Sequence, residues 1–99
     1  MKIVAWNCQG ARNEAFCTHA HELYHLHRSQ ILIIVEPRIA GERAQAVIDS
    51  LPYSHSQRVD PTSFLGGIWI MWNEDSRLIV EILTTSEYSC TCQVTHQLL

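Results

Sequence analysis

Ile31-Leu32-Ile33-Ile34-Val35-Glu36 is the stretch that decides the fold. Five β-prone apolar residues in a row leave neither side of a strand polar. Such a strand belongs in the middle of a sheet that is covered on both faces. Glu36 then sets a carboxylate directly at its C-terminal end.

Upstream, Glu14 to Arg28 has helical spacing, with Phe16, Ala20, Leu23, Tyr24 and His27 on one stripe. Asn13 is placed to cap it, with Glu14 in the first turn. Lys2 to Trp6 is a short apolar strand. A helix of this length spans about 22 Å, enough to run back along a sheet. Strand, helix and strand therefore form a βαβ unit with parallel strands.

Downstream, Gly41 to Leu51 reads as a shorter helix with Ala44, Val47, Ile48 and Leu51 inward, stopped at Pro52. Gln57 to Val59 reads as a short strand, and Asp60-Pro61-Thr62-Ser63 as a turn. Gly66-Gly67 opens the strand Ile68 to Trp72. Asn73-Glu74-Asp75-Ser76 turns the chain into Leu78 to Leu83. From Tyr88 to Thr95 polar and less polar residues alternate, with Tyr88, Cys90, Cys92 and Val94 on the inward face. The expected class is α/β with a mixed sheet: a βαβ unit, a second helix, then an antiparallel meander. Residues 1–99 read as one domain.

The 99 residues, 46% of them hydrophobic, suffice for one small core. No apolar run approaches the roughly 20 residues of a membrane helix. Met1 leads into Lys2 to Asn7 without signal-peptide anatomy, so an intracellular location is expected, nuclear or cytoplasmic. A net charge of −3 argues against general electrostatic binding of nucleic acid; such contact needs a local patch. Without a secretory segment, Cys8, Cys17, Cys90 and Cys92 are expected as free thiols.

The two parallel strands end in Asn7 and Glu36. The C-terminal ends of parallel strands lie on one edge, where open α/β sheets place ligands. A carboxylate there is a hard oxygen donor suited to magnesium, and an amide beside it can orient that ligand or meet a phosphate.

Three blocks then resemble one family. Trp6-Asn7-Cys8-Gln9-Gly10 is similar to the opening motif of endonuclease/exonuclease/phosphatase domains, the deoxyribonuclease-I-like group. Its spelling is most like that of plant non-LTR retrotransposon endonucleases. Ile31 to Ile39 resembles the second block, a hydrophobic strand ending in Glu. Gly66-Gly67-Ile68-Trp69-Ile70-Met71-Trp72 resembles the third, a Gly-Gly turn before an aromatic strand.

The resemblance implies the N-terminal part of an α/β sandwich that hydrolyses phosphoesters with Mg2+ or Mn2+. Glu36 would be a metal ligand, Asn7 would help to organise metal and phosphate, and nucleic acid or another phosphoester would be the partner. The family also uses an Asp-x-Asn block and a late Asp-His block. Asp49, Asp60 and Asp75 do not sit in such a block, and no Asp precedes His96. The expectation is a partial site, inactive alone, with self-association through the uncovered Tyr88 to Thr95 edge. A non-catalytic remnant or binding module is the alternative.

His21-Glu22-Leu23-Tyr24-His25 spells the zinc-peptidase motif H-E-x-x-H, which makes a zinc metallopeptidase a second alternative. Leu23 is expected to be buried, with His21 and His25 pointing outward. Cys90 and Cys92 lack a second close pair to complete a zinc site. Trp69, Trp72 and Tyr88 are expected in the core rather than as base-stacking platforms. Arg38 and Arg43 flank the candidate edge and read as solvated surface residues.

Overall fold

A computed structural model of the chain describes residues 2–62, 65–73, 78–85 and 89–96. The elements run β1 (Ile3–Asn7), α1 (Glu14–His27), β2 (Ile31–Val35), α2 (Gly41–Asp49), β3 (His55–Val59), β4 (Ile68–Trp72), β5 (Leu78–Thr85) and β6 (Cys90–His96). Among the described residues no helix is long and apolar enough to cross a membrane.

The first four strands form one mixed sheet in the order β1-β2-β4-β3. β1 and β2 are parallel, with Asn7 opposite Val35. β4 runs antiparallel to both β2 and β3. The βαβ unit and the interior position of β2 thus follow the expectation from its two apolar faces.

The expected single meander does not form. β5 and β6 pair with each other in a separate two-stranded sheet. The reason is positional: β2 and β3 occupy both edges of β4, so the next strand has no hydrogen-bonding edge there to join.

Three layers result. On one face of the main sheet, Leu32, Ile34, Trp69 and Met71 join Phe16 and Ala20 of α1 and Ala44 and Ile48 of α2. On the other, Ile31 and Ile70 pack with Leu78, Val80, Cys90, Cys92 and Val94 of the β5–β6 hairpin. Trp69 is fully buried and Trp72 packs at the second cluster, so both belong to the core as expected.

Local chemistry fixes the helix ends. Asn13 Oδ1 accepts from Phe16 N at 3.0 Å, the cap its sequence position promises. Arg28, expected inside α1, instead ends it in a left-handed conformation, its N–H donating to the Tyr24 carbonyl. The N-cap of α2 is Ala40, which has no side-chain oxygen to give. Asp60 acts in its place: Oδ2 accepts from Gly41 N at 3.3 Å, while Oδ1 accepts from Arg58 Nε at 2.7 Å.

Other boundaries shift. β3 begins at His55 rather than Gln57, because pairing with Trp72 and Met71 recruits polar residues that lack strand propensity. α2 ends at Asp49, and Leu51 is buried just past it. Phe16 and Ala20 are buried but Leu23, Tyr24 and His27 only half-buried, so the apolar stripe of α1 is covered mainly at its N-terminal half; Leu26, off that stripe, is 73% exposed. Ser63, Glu74, Asp75, Ser76 and Tyr88, which figured in the expected turns and last strand, lie outside the described residues.

Candidate functional site

The parallel register sets the geometry. Asn7 closes β1 opposite Val35, and Glu36 follows immediately, so both stand at the same end of the sheet. Asn7 is exposed and alternates with Trp6, which packs toward the helices. Glu36 is half-buried.

The backbone around Glu36 is clamped from two sides. Its N–H donates to the Gly67 carbonyl at 3.0 Å, and its carbonyl accepts from Gly10 N at 2.9 Å. Ala11 N donates to the Pro37 carbonyl and Arg38 N to the Gly66 carbonyl. Segments 6–11, 36–39 and 66–67, far apart in sequence, are therefore stitched together at one edge.

Gly66 is required by this closeness. A Cβ built there would lie 2.8 Å from Glu36 Cα and 2.9 Å from Glu36 Cβ. Gly67 adopts φ +88, and a Cβ there would meet the Val59 carbonyl at 2.7 Å.

Strain concentrates at the same edge. Gln9, Glu36 and Arg38 have φ of 53, 58 and 62, the left-handed region that costs an ordinary L-residue about 1–2 kcal/mol. Such outliers persist where surrounding contacts over-determine them, and they cluster at functional sites.

Glu36 Oε2 accepts from Arg38 Nη2 at 3.1 Å; their side chains are 37% and 53% exposed. An ion pair this open contributes about 0–1 kcal/mol. Arg38 also reaches the Gln9 carbonyl, at 3.4 Å. Cys8 Sγ donates to the Glu36 carbonyl at 3.5 Å. Burial pushes the Cys8 thiol above its ordinary pKa, partly offset by backbone hydrogen bonds and by Arg38, so it keeps the proton it donates.

Asp60 ends β3 at this same end, since Val59 pairs Ile68 and Ile68 pairs Val35. Two strand spacings, about 10 Å, separate it from β2. With one oxygen on Arg58 and the other on Gly41 N, it serves the fold rather than Glu36.

Sequence reasoning passed over Arg12. The structure sets it beside Gln9, Gly10, Asn13 and Arg38 in a surface cleft of about 340 Å³. A loop arginine outside any periodic pattern gives no sequence signal for such a role. Arg43 is exposed on α2 and does not line this cleft.

The His cluster sits elsewhere, along α1. His21 is half-buried, its Nδ1 donating to the Cys17 carbonyl at 2.8 Å. His25 and Glu22 are exposed, and the His25 ring packs edge-on to Tyr24. Among the described residues no group of three or more His, Cys, Asp or Glu side chains is gathered in a way that could hold a metal ion. Cys8, Cys17, Cys90 and Cys92 are free and half-buried.

No protein-family model, curated protein or solved structure matches this chain.

Proposed function

We propose that this chain carries the N-terminal half of a divalent-metal-dependent phosphoesterase site of the endonuclease/exonuclease/phosphatase kind, inactive by itself. The observation that carries the reading is the convergence on Glu36. The three blocks that resemble that family meet at one sheet edge, hydrogen-bonded to one another through the backbone of Glu36 and its neighbours. The left-handed φ values at Gln9, Glu36 and Arg38 fall at this edge, where such outliers often accompany a site.

The donor set suits the expected ion. Glu36 offers a hard carboxylate and Asn7 an amide oxygen, the ligand class of Mg2+ and Mn2+. When bound, such an ion supplies Lewis-acid stabilisation of charge on phosphate oxygens. The chain's own part is to hold Glu36 from behind, through Gly10, Gly66 and Gly67, and to bring Asn7 to the same sheet edge. The activating Asp-x-Asn and the phosphate-contacting Asp-His are not in the 99 residues. Loss of groups that act as a unit costs orders of magnitude in rate. The finer reading, a retrotransposon-derived nuclease acting on nucleic acid within a fuller α/β sandwich, rests on the spelling of positions 6–10.

The test uses Mn2+ as a paramagnetic probe on the 99-residue chain. Amide broadening should centre on residues 7–10 and 36–38 and vanish in Glu36→Gln. Broadening centred on His21 and His25 would move the metal to α1 and overturn the reading. In parallel, plasmid and oligonucleotide DNA should remain intact with Mg2+ present. Robust metal-dependent cleavage lost in Glu36→Ala would show a complete site and refute the half-site.

A further inference from the structure

We propose that Cys90 and Cys92, on the inward face of β6, form a two-thiolate site for copper(I). The site uses nothing at the Glu36 edge and stands apart from the phosphoesterase reading.

Register sets the two thiols side by side. Cys92 pairs Ile82 and Cys90 pairs Thr85, and residues two apart on one strand share a face. Both pack with Ile33, Ile68, Trp72 and Val94 against Ile31, Ile70 and Leu78. Both are free and half-buried. Burial first, and then the charge of Cys92, raises the pKa of Cys90, which marks the two sulfurs as electrostatic neighbours.

Spacing decides what the pair can do. Residues i and i+2 of a strand stand about 6.7 Å apart, and their Cβ atoms with them. A disulfide needs Cβ atoms about 3.5–4.5 Å apart, so the pair does not close on itself while the strand is intact. Two metal–thiolate bonds in line, at about the 2.3 Å of zinc–sulfur, span about 4.6 Å. Each sulfur then leans inward by only about 1 Å, within the swing of one Cβ–Sγ bond.

Ligand number decides the ion. Among the described residues no third His, Cys, Asp or Glu is gathered with the pair. Structural zinc takes four ligands, and magnesium takes oxygen. Copper(I) is soft, prefers thiolate and is satisfied by two donors in line. The apolar side chains around the pair offer no hard donor to compete. On binding, two S–H bonds break, two Cu–S bonds form, two protons pass to solvent and no electron moves.

The ladder is also irregular where the thiols face it. Leu83 is an extra residue in β5 between Ile82 and Thr84, opposite Thr91 and Cys92. Bulges re-aim side chains and recur beside functional sites. Past the bulge Thr85, the partner of Cys90, is exposed. The end of the hairpin thus leaves the pair a route to solvent.

The experiment is an anaerobic copper(I) titration of the 99-residue chain, held reduced by ascorbate and read against bicinchoninate as a coloured competitor. One copper should bind per chain, with two sulfur neighbours by X-ray absorption. Loss of a group that merely supports a ligand costs about 10–100-fold, so Cys90→Ala and Cys92→Val should each weaken binding by more than roughly 100-fold. Cys92→Val keeps an apolar group of similar size against the sheet, and a parental circular dichroism spectrum separates loss of a ligand from loss of fold. Cys17→Ser should bind as the parent does. The parent chain gives a test that needs no variant: one equivalent of copper should shield Cys90 and Cys92 from iodoacetamide, read by peptide mass mapping. Shielding of Cys8 or Cys17 instead would overturn the site, as would three or more sulfurs on the copper. Parental affinity in folded Cys90→Ala or Cys92→Val would overturn it too, and so would zinc binding as tightly as copper(I), or no copper retained against the competitor.

Discussion

Gly66→Ala tests the architecture of the candidate edge most directly. The added methyl carbon would sit 2.8 Å from Glu36 Cα and 3.0 Å from Glu36 Cγ. A contact with backbone cannot be relieved by a rotamer change. The Glu36 segment is further pinned by Gly67 on one side and Gly10 on the other, so it cannot simply retreat. Overpacking of this kind costs about 1–3 kcal/mol. For a domain near 100 residues each kcal/mol lowers Tm by about 4–8 °C, so a mid-range cost of about 2 kcal/mol gives roughly 8–16 °C. Gly41→Ala is the contrast. There a Cβ meets nothing, and only φ +61 is unfavourable; the expected loss is about 1 kcal/mol. Thermal unfolding followed by circular dichroism ranks the two. If Gly66→Ala melts with the parent, or no lower than Gly41→Ala, the close approach of the Gly-Gly turn to Glu36 is wrong.

Asn13→Ala should cost about 1 kcal/mol by removing the α1 cap, and Asn13→Asp should retain most of it; equal urea midpoints for all three chains would remove the cap from the account. Burial raises the pKa of Cys8, Tyr53 and Cys90, so the unfolded chain releases these protons first. Their contribution to stability is full below the ordinary thiol and phenol values and is lost as pH rises through the folded ones. Urea midpoints should thus fall above pH 9, the ordinary thiol value, and midpoints rising through that range would contradict it. Ile79 and Leu83 are 47% and 53% exposed on the outward face of β5, and the four-stranded sheet ends in β1 with Ile3 half exposed. Sedimentation should show concentration-dependent association that Leu83→Lys reduces; a strictly monomeric parent at all concentrations would remove that expectation.

The sequence was most legible where one residue type has one physical outcome. Ile31 to Val35 is apolar on both sides and lies between β1 and β4, under helices on one face and the hairpin on the other. Asn13 caps α1 because a short side chain with an oxygen is what that position needs. The shared edge of Asn7 and Glu36 follows from the parallel pair. Less legible were features decided by partners distant in sequence. His55 and Ser56 join a strand only because β4 offers its edge. The alternation of Cys90, Cys92 and Val94 announces one buried face but not which layer it covers. The half-burial of Leu23 on the inward stripe of α1 depends on what the tertiary packing sets beneath it, which helical periodicity does not encode. Arg12 joins the edge through loop geometry alone.

The cap of α2 has a consequence for the order in which the chain acquires structure. Its nine residues fall below the roughly 12–15 that an isolated helix needs in water. Its first N–H is closed by Asp60, 19 residues further on and just past β3. α2 therefore cannot complete its own N-terminus; it depends on a strand made later in the chain. Amide protection at the first turn of α2 should therefore track the pairing of β3 with β4, which holds Asp60 in place. A ribosome-bound chain that has emerged only as far as Pro52 has the segment that becomes α2 but not the group that holds its end.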